Sequence, residues 1–297
     1  MRAKVKLCRE DKIFYAITGI IVTIFLIIVL YPMIYVVSAS FSSGKALMRG
    51  EVILWPVDIG IEGYKAVFRY RGLLRSYGNT IFYTTAGTLF SVILTIIGAY
   101  PLARKDLPGR GYFTFFFTLT MFISGGMIPN YLLVKGLGMI NTRWALIIPG
   151  AVSVYNMLIV KNFIQSNIPG ELLEAAQMDG CSDLYYLYKI VVPLSKATLA
   201  VIVLFYAVGH WNSYFNAMMY INDRDLLPLQ MILREILVNN DVSADMMMDP
   251  VLQERQETLR EQLKYALIIV STLPVMCVYP FVQKYFVKGV MVGSIKG

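Results

Sequence analysis

Long apolar runs alternate with polar connections along this chain, and their lengths predict membrane helices. Six runs read as spans: Ile13 to Val37, Asn79 to Ala103, Tyr112 to Val134, Trp144 to Val160, Thr198 to Tyr220 and Leu263 to Phe286. They lie near or above the roughly 18 apolar residues that a spanning helix calls for. Gly125-Gly126 and Pro129 break the third, and Pro274 and Pro280 interrupt the sixth; such breaks free backbone groups that need a neighbouring helix or a wet cavity. The first run is far longer than the roughly 7–15 apolar residues of a secretory signal, so it is retained as a span although Ser38-Ala39-Ser40 resembles cleavage chemistry. The predicted class is an all-α polytopic membrane protein with six transmembrane helices. Residues 1–12 form a basic N-terminal segment and 13–297 a single transmembrane domain.

The polar connections differ in kind. Ser38 to Tyr77 holds Trp55-Pro56, Tyr64, Tyr70 and Tyr77, rings that favour the membrane interface. Ile221 to Glu261 is a long acidic segment with Met246-Met247-Met248, which read as loop packing rather than a thioether metal site. Residues 169–196 alone look built as paired helices. Pro169 and Glu171 suit a helix first turn. Leu172, Ala175 and Ala176 share a low-profile face at helical spacing, open to a partner's groove. Gly180 suits a left-handed C-cap. Ser182 or Asp183 can cap a second helix, with Leu184, Leu187, Tyr188 and Val191 on one side. Pro193 then bends the chain into the fifth span. The pattern predicts a rigid helix–turn–helix foot between two spans.

Composition narrows the function. The chain is 57% hydrophobic and 15% charged, where a soluble domain is about half apolar and a quarter charged. The formal charge of +8 is read as charge facing anionic lipid rather than nucleic acid. Cys8, Cys181 and Cys277 are odd in number and widely spaced, and His210 is the single histidine; neither a disulfide framework nor a metal site is predicted. Lys and Arg are nearly even between the two sides, so charge alone orients the chain weakly, the basic N-terminus carrying most of the weight.

No carboxylate falls inside a predicted span, which speaks against an ion-coupled carrier. No GxxxxGK[ST] phosphate loop is present, so this chain is expected to bind no cofactor and to hydrolyse no ATP; active transport would then take its energy from a partner. In the fifth span Tyr206, His210, Tyr214 and Ala217 follow i, i+4, i+8 and i+11, with Trp211, Asn212 and Asn216 nearby. Rings that stack on C–H faces and amides that bind hydroxyls suit a sugar path; an interfacial aromatic belt is the plainer alternative. Asn130-Tyr131 at the third-span break and Tyr155-Asn156 in the fourth span are further path candidates, with helix-packing polar pairs as the alternative.

Glu174-Ala175-Ala176, Asp179-Gly180, Ile190 and Pro193-Leu194 resemble the EAA loop of bacterial ABC importer permeases, with departures at Cys181, Leu187, Val192 and Ala197. His210-Trp211-Asn212 followed by Leu227-Pro228-Leu229, and the tail from residue 287 to 297, resemble the maltose-type sugar permeases. Ser124-Gly125-Gly126-Met127-Ile128-Pro129 is similar to permeases that handle oligosaccharides and polysaccharides. The resemblance implies a type I ABC importer permease with both termini in the cytoplasm of a bacterial cell and the chain in its inner membrane. It implies a second permease subunit in a heterodimer, two ATPase subunits that use ATP and Mg, an extracytoplasmic solute-binding protein and an oligosaccharide substrate. Glu171, Glu174, Ala175, Ala176, Asp179, Gly180, Ile190 and Pro193 would couple to the ATPase, and Lys288, Gly289, Gly293 and Lys296 would dock the tail into it. A permease for non-sugar cargo such as peptides, or a self-sufficient carrier or channel, is the alternative function.

Overall fold

The computed structural model describes residues 8–69, 72–238 and 250–294, and every regular element among them is helical. In order they are α1 (Arg9–Ser40), α2 (Gly44–Met48), α3 (Glu62–Arg69), α4 (Leu73–Ala103), α5 (Arg110–Phe122), α6 (Met127–Gly136), α7 (Val154–Asn167), α8 (Gly170–Met178), α9 (Asp183–Tyr186), α10 (Val192–Leu194), α11 (Lys196–Trp211), α12 (Phe215–Tyr220), α13 (Leu229–Val238) and α14 (Pro250–Ser294). Among the described residues α1, α4 and the Glu257–Pro280 stretch of α14 are long and apolar enough to cross a membrane. Two broken pairs also qualify, α5 with α6 bent by 112° and Asp183–Leu194 with α11 bent by 85°.

The chain packs as two units. The first comprises the described residues of Met1–Tyr70 and Ile236–Thr272. In it α1 exposes every residue from Cys8 to Ile34, an all-round apolar surface suited to lipid. Its C-terminal serines turn inward instead. Ser40 and Tyr64 hydroxyls lie 2.8 Å apart, Ser42 Oγ accepts from Val57 N–H at 3.1 Å, and Gln262 Nε2 donates to Ser42 O at 3.0 Å. Gly44 and Gly63 let the backbone approach Thr258 and Gln262 so closely that no Cβ would fit at either. Ser38-Ala39-Ser40 is buried helix. The expected loop from Ser38 to Tyr77 contains α2, α3 and the start of α4.

The second unit comprises the described residues of Arg71–Glu235 and Leu273–Gly297, and α4 is its axis. The inner face of α4 is small and polar, with Ser76, Asn79, Thr80, Thr88, Ser91 and Thr95 buried, while Ile81, Leu89, Ile93 and Ile97 face outward. This inverts the soluble pattern. Lipid offers apolar side chains as good a solvent as the protein interior, so close packing of small residues and internal hydrogen bonds hold the helices together. Gly87 takes the His210 ring directly against its backbone. Thr95 and Tyr206 share a 2.7 Å hydrogen bond, and Tyr206 Oη also accepts from Ser153 N–H at 3.0 Å. Asn79 Nδ2 donates to Asp225 O at 2.7 Å, Tyr83 Oη to Leu226 O at 2.8 Å, and Thr80 Oγ1 accepts from Leu229 N–H at 2.8 Å. These bonds tie the Leu227-Pro228-Leu229 stretch to α4.

Several expected boundaries are corrected. The second span starts at Leu73, not Asn79. Trp144 to Val160 is not one helix: a 3₁₀ turn over Arg143–Leu146 precedes α7, because Pro149 has no N–H to continue the helix and Gly150 does not favour it. At 14 residues α7 spans about 21 Å, short of the roughly 30 Å hydrocarbon core. The fifth run splits at Asn212 into α11 and α12. The sixth is uninterrupted, α14 running through Pro274 and Pro280 to Ser294, since a membrane helix re-satisfies the freed carbonyls locally.

Candidate functional site

The foot is α8, a glycine turn and a second arm. Pro169 is the N-cap of α8 and Glu171 sits in its first turn, where a carboxylate meets the positive end of the helix. At the other end Gly180 has φ +71°. Gly180 N–H donates to Gln177 O at 3.0 Å and Cys181 N–H to Ala176 O at 2.9 Å, the two bonds of a Schellman C-cap. Ser182 then caps α9, its Oγ accepting from Tyr185 N–H at 3.3 Å. A π-helical turn, Leu187–Val191, joins α9 to α10, and the 85° bend falls next to Ser195, two residues after Pro193.

The foot has a rooted side and a free side. Ala176, Tyr186 and Val191 are buried with Ala99, Tyr100 and Ala103 of α4, Met157, Val160 and Ile164 of α7, and Leu199 and Ile202 of α11. Leu173 and Ile190 pack against that cluster. Ala176 is only 8% exposed, which corrects its placement on a partner-facing surface: the helix turns it into the chain's own core. Likewise the second arm buries Tyr186 and Val191, while Leu184 and Tyr188 point outward, so the expected common face of Leu184, Leu187, Tyr188 and Val191 does not form. What α8 presents outward is Glu171, Leu172, Glu174, Ala175, Gln177 and Met178, with Asp179 and Gly180 at the turn. Met178 is 88% exposed. Pro193 is exposed and Ile190 half-buried.

Arg104, which follows the last residue of α4, was not singled out from sequence. Its Nε donates to Asp106 Oδ1 at 2.8 Å and its Nη1 to Tyr100 Oη at 3.2 Å and to the Asp183 carboxylate. Asp106, then burial opposed by Tyr100 and Asp183, sets the guanidinium balance, and the result is a pKa above its ordinary value. Arg104 in turn holds the Asp106 carboxyl below the usual range.

The substrate-path candidates divide. Tyr206, Trp211 and Asn156 are buried, and His210 is wedged against Gly87; Trp211 meets the Tyr77 ring edge-on at 5.9 Å. These side chains pack helices. Because α11 ends at Trp211, Tyr206 and His210 do not continue onto one face with Tyr214 and Ala217. Asn130, Tyr155, Asn212 and Tyr214 are exposed, with Asn216 half-buried. Tyr131 stacks nearly parallel on Tyr220, centroids 6.2 Å apart. Asn141, which sequence reading passed over, fixes that neighbourhood: at φ +60° its N–H donates to Tyr220 O at 2.7 Å, and its Oδ1 accepts from Asn222 and Asp223 N–H at 3.1 and 2.8 Å. Asparagine tolerates the left-handed conformation, which is the one signal that points to it. An apolar cavity of about 140 Å³ lies among α4, α11 and Pro274, Val275 and Val278 of α14; it lacks the convergent polar groups that a sugar site requires.

The tail candidates Lys288, Gly289 and Gly293 continue the backbone of α14, which ends at Ser294; the tail is thus helical well beyond the expected span end at Phe286. Lys296 lies outside the described residues.

No family model matches the chain. Individual relatives do. The Bacillus subtilis (strain 168) protein LplC is 42% identical over 273 residues, 91% of this chain and 90% of its own length. The polygalacturonan/rhamnogalacturonan transport system permease protein YtcP of the same organism is 42% identical over 274 residues, 92% of this chain and 94% of its own. Among solved structures, a bacterial ABC transporter involved in the import of the acidic polysaccharide alginate contains a chain that superposes with a TM-score of 0.86 at 37% identity, over 95% of this chain and 100% of that one.

Proposed function

This chain belongs to the permease subunits of binding-protein-dependent oligosaccharide ABC importers, and on that premise we propose how it is energised and what it carries. It is a multi-pass membrane protein with the ABC importer permease fold and acts as a transport component. In our reading it sits in the cytoplasmic membrane with both termini inside, pairs with a second, different permease, and receives sugar from an extracytoplasmic solute-binding protein. Two copies of an ATPase subunit bind and hydrolyse Mg-ATP; this chain has no ATPase site of its own. The cargo is an oligosaccharide of an acidic polysaccharide, the class named for the alginate importer.

The observation that carries the coupling mechanism is the two-sided foot. A helix rooted at Ala176 in the same cluster as α4, α7 and α11, yet bare at Leu172, Ala175 and Met178, can take a push from a partner and pass it to the bundle. Closure of the ATPase dimer on ATP moves α8, the foot rotates the helices rooted with it, and the path opens outward to accept sugar. After hydrolysis the foot relaxes and the path opens inward. The exposed polar and aromatic groups Asn130, Tyr155, Asn212, Tyr214 and Asn216 are the candidates left to contact sugar on that path, with Tyr131.

Met178→Asp tests the docking face. An exposed apolar anchor at an interface centre is worth about 2 kcal/mol, roughly thirtyfold in affinity. The variant should reach the membrane in normal amount and lose ATPase co-purification by about that factor. Undiminished co-purification would remove α8 from the interface.

A further inference from the structure

We propose that Arg104 is a positioning residue for transport: it latches the foot to the end of α4 and fixes the direction in which ATPase movement is passed to the bundle. The proposal rests on the reading of α8 as the ATPase-coupling helix.

The geometry is specific. Residues 179–182 separate α8 from Asp183, so Asp183 is the first residue of α9 to receive any displacement of α8. Its carboxylate is bound by Arg104 Nη1, 79 residues away in sequence. The remaining faces of the guanidinium are taken by Asp106 through Nε and Nη2 and by the Tyr100 hydroxyl. Its carbon lies 5.8 Å from the Tyr100 ring centroid. Arg110 closes the turn, its Nη1 donating to Arg104 O at 3.3 Å. A planar fork held by groups from two segments has one orientation, which a single point charge would not impose.

The burial pattern separates positioning from adhesion. The Arg104 side chain is 13% exposed, whereas Asp183 is 64% exposed. A pair so open on its carboxylate side is screened and adds little to stability. Arg104 itself is fixed by Tyr100 and Asp106, so it presents a rigid donor to an exposed carboxylate. Tyr100 also meets Tyr186 across this joint, 6.4 Å between ring centroids, a contact that resists separation more than rotation. Arg104–Asp183 removes the rotation. Without it, a push on α8 is partly spent turning α9 about Tyr186, and only the part carried through Ala176 reaches the bundle.

The test uses the assembled transporter in proteoliposomes, with uptake of oligogalacturonides or alginate oligosaccharides measured per ATP hydrolysed. Asp183→Asn and Arg104→Gln should each lower that ratio about tenfold, with ATPase assembly and ATP turnover within twofold of wild type. The double variant should be no worse than either single one. Asp183→Glu should restore most of the ratio, and Arg104→Lys only part, since an ammonium does not hold both carboxylates at once. Should wild type accumulate neither probe, the cargo reading fails while the latch is still scored by ATP-dependent maleimide protection of Tyr214→Cys in a background lacking Cys8, Cys181 and Cys277. A normal ratio in Asp183→Asn, multiplicative losses in the double variant, or losses that follow reduced ATPase assembly would each overturn the latch. Failure of Met178→Cys to cross-link to the ATPase in the otherwise wild-type complex would instead overturn the coupling-helix reading, and the latch with it.

Discussion

Gly180→Val abolishes most ATP-driven uptake while the transporter still assembles: that is the outcome expected from the turn of the foot. At φ +71° an L-residue pays about 1–2 kcal/mol, and a β-branched one resists the region further. Nothing lies within 4 Å of where the Cβ would be, so the effect is confined to the backbone and does not come from a clash with the core. The chain escapes the strain by leaving the left-handed region, which breaks the bonds from Gly180 and Cys181 to Gln177 and Ala176 and swings α8 relative to Asp183. About 2 kcal/mol shifts the balance of foot conformations roughly thirtyfold. The expected readout is uptake reduced at least tenfold with membrane level unchanged. Gly180→Asn is the control, because asparagine tolerates positive φ, and it should keep most of the activity. Normal uptake in Gly180→Val would show that the turn does not transmit the stroke.

Gly87→Val should have the larger effect on stability. A Cβ there would stand 2.6, 2.7 and 2.9 Å from three atoms of the His210 imidazole, distances that atoms do not sustain. The helices resist moving apart, because α4 and α11 are held in register by the Thr95–Tyr206 bond and Tyr206 is bound in turn by Ser153 N–H, so the imidazole must be driven from its place. Overpacking of this kind costs about 1–3 kcal/mol. A lower thermal midpoint in detergent, with loss of assembled transporter, is expected. His210→Ala in the same chain should recover part of the loss by vacating the space, an outcome that a general weakening of α4 would not give. A Gly87→Val protein with unchanged midpoint would mean that α4 and α11 do not meet at this point.

The foot was the most legible part of the sequence because its signals are local. Glu171 in a first turn, Gly180 at positive φ and Ser182 as a cap are each decided within a few residues. Gly125-Gly126 and Pro129 likewise announced the 112° break between α5 and α6. Facing was much harder to read. In a membrane an outward Ile97 and an inward Leu199 are equally apolar, so periodicity does not tell which side of a helix is buried. Ala176 was misplaced for that reason, and the small polar face of α4 was not foreseen. Proline misled in both directions: Pro149 beside Gly150 ends regular structure, whereas Pro274 and Pro280 lie inside a continuous helix. Arg104 carries no local signal, since its partner Asp183 is 79 residues away in sequence. The path candidates in the fifth run do not share one face, because the helix stops at Trp211: Tyr206 and His210 pack between helices, and Asn212, Tyr214 and Asn216 lie beyond the break.

The central claim is that this permease works only as part of an ATP-driven oligosaccharide importer. The direct measurement is purification of the tagged chain in mild detergent, followed by ATP hydrolysis with solute-binding protein and a panel of neutral and acidic oligosaccharides. An ATPase and a second permease should co-purify, with turnover stimulated by an acidic oligosaccharide bound to its carrier protein. A chain that purifies alone and moves sugar through liposomes without ATP would contradict it.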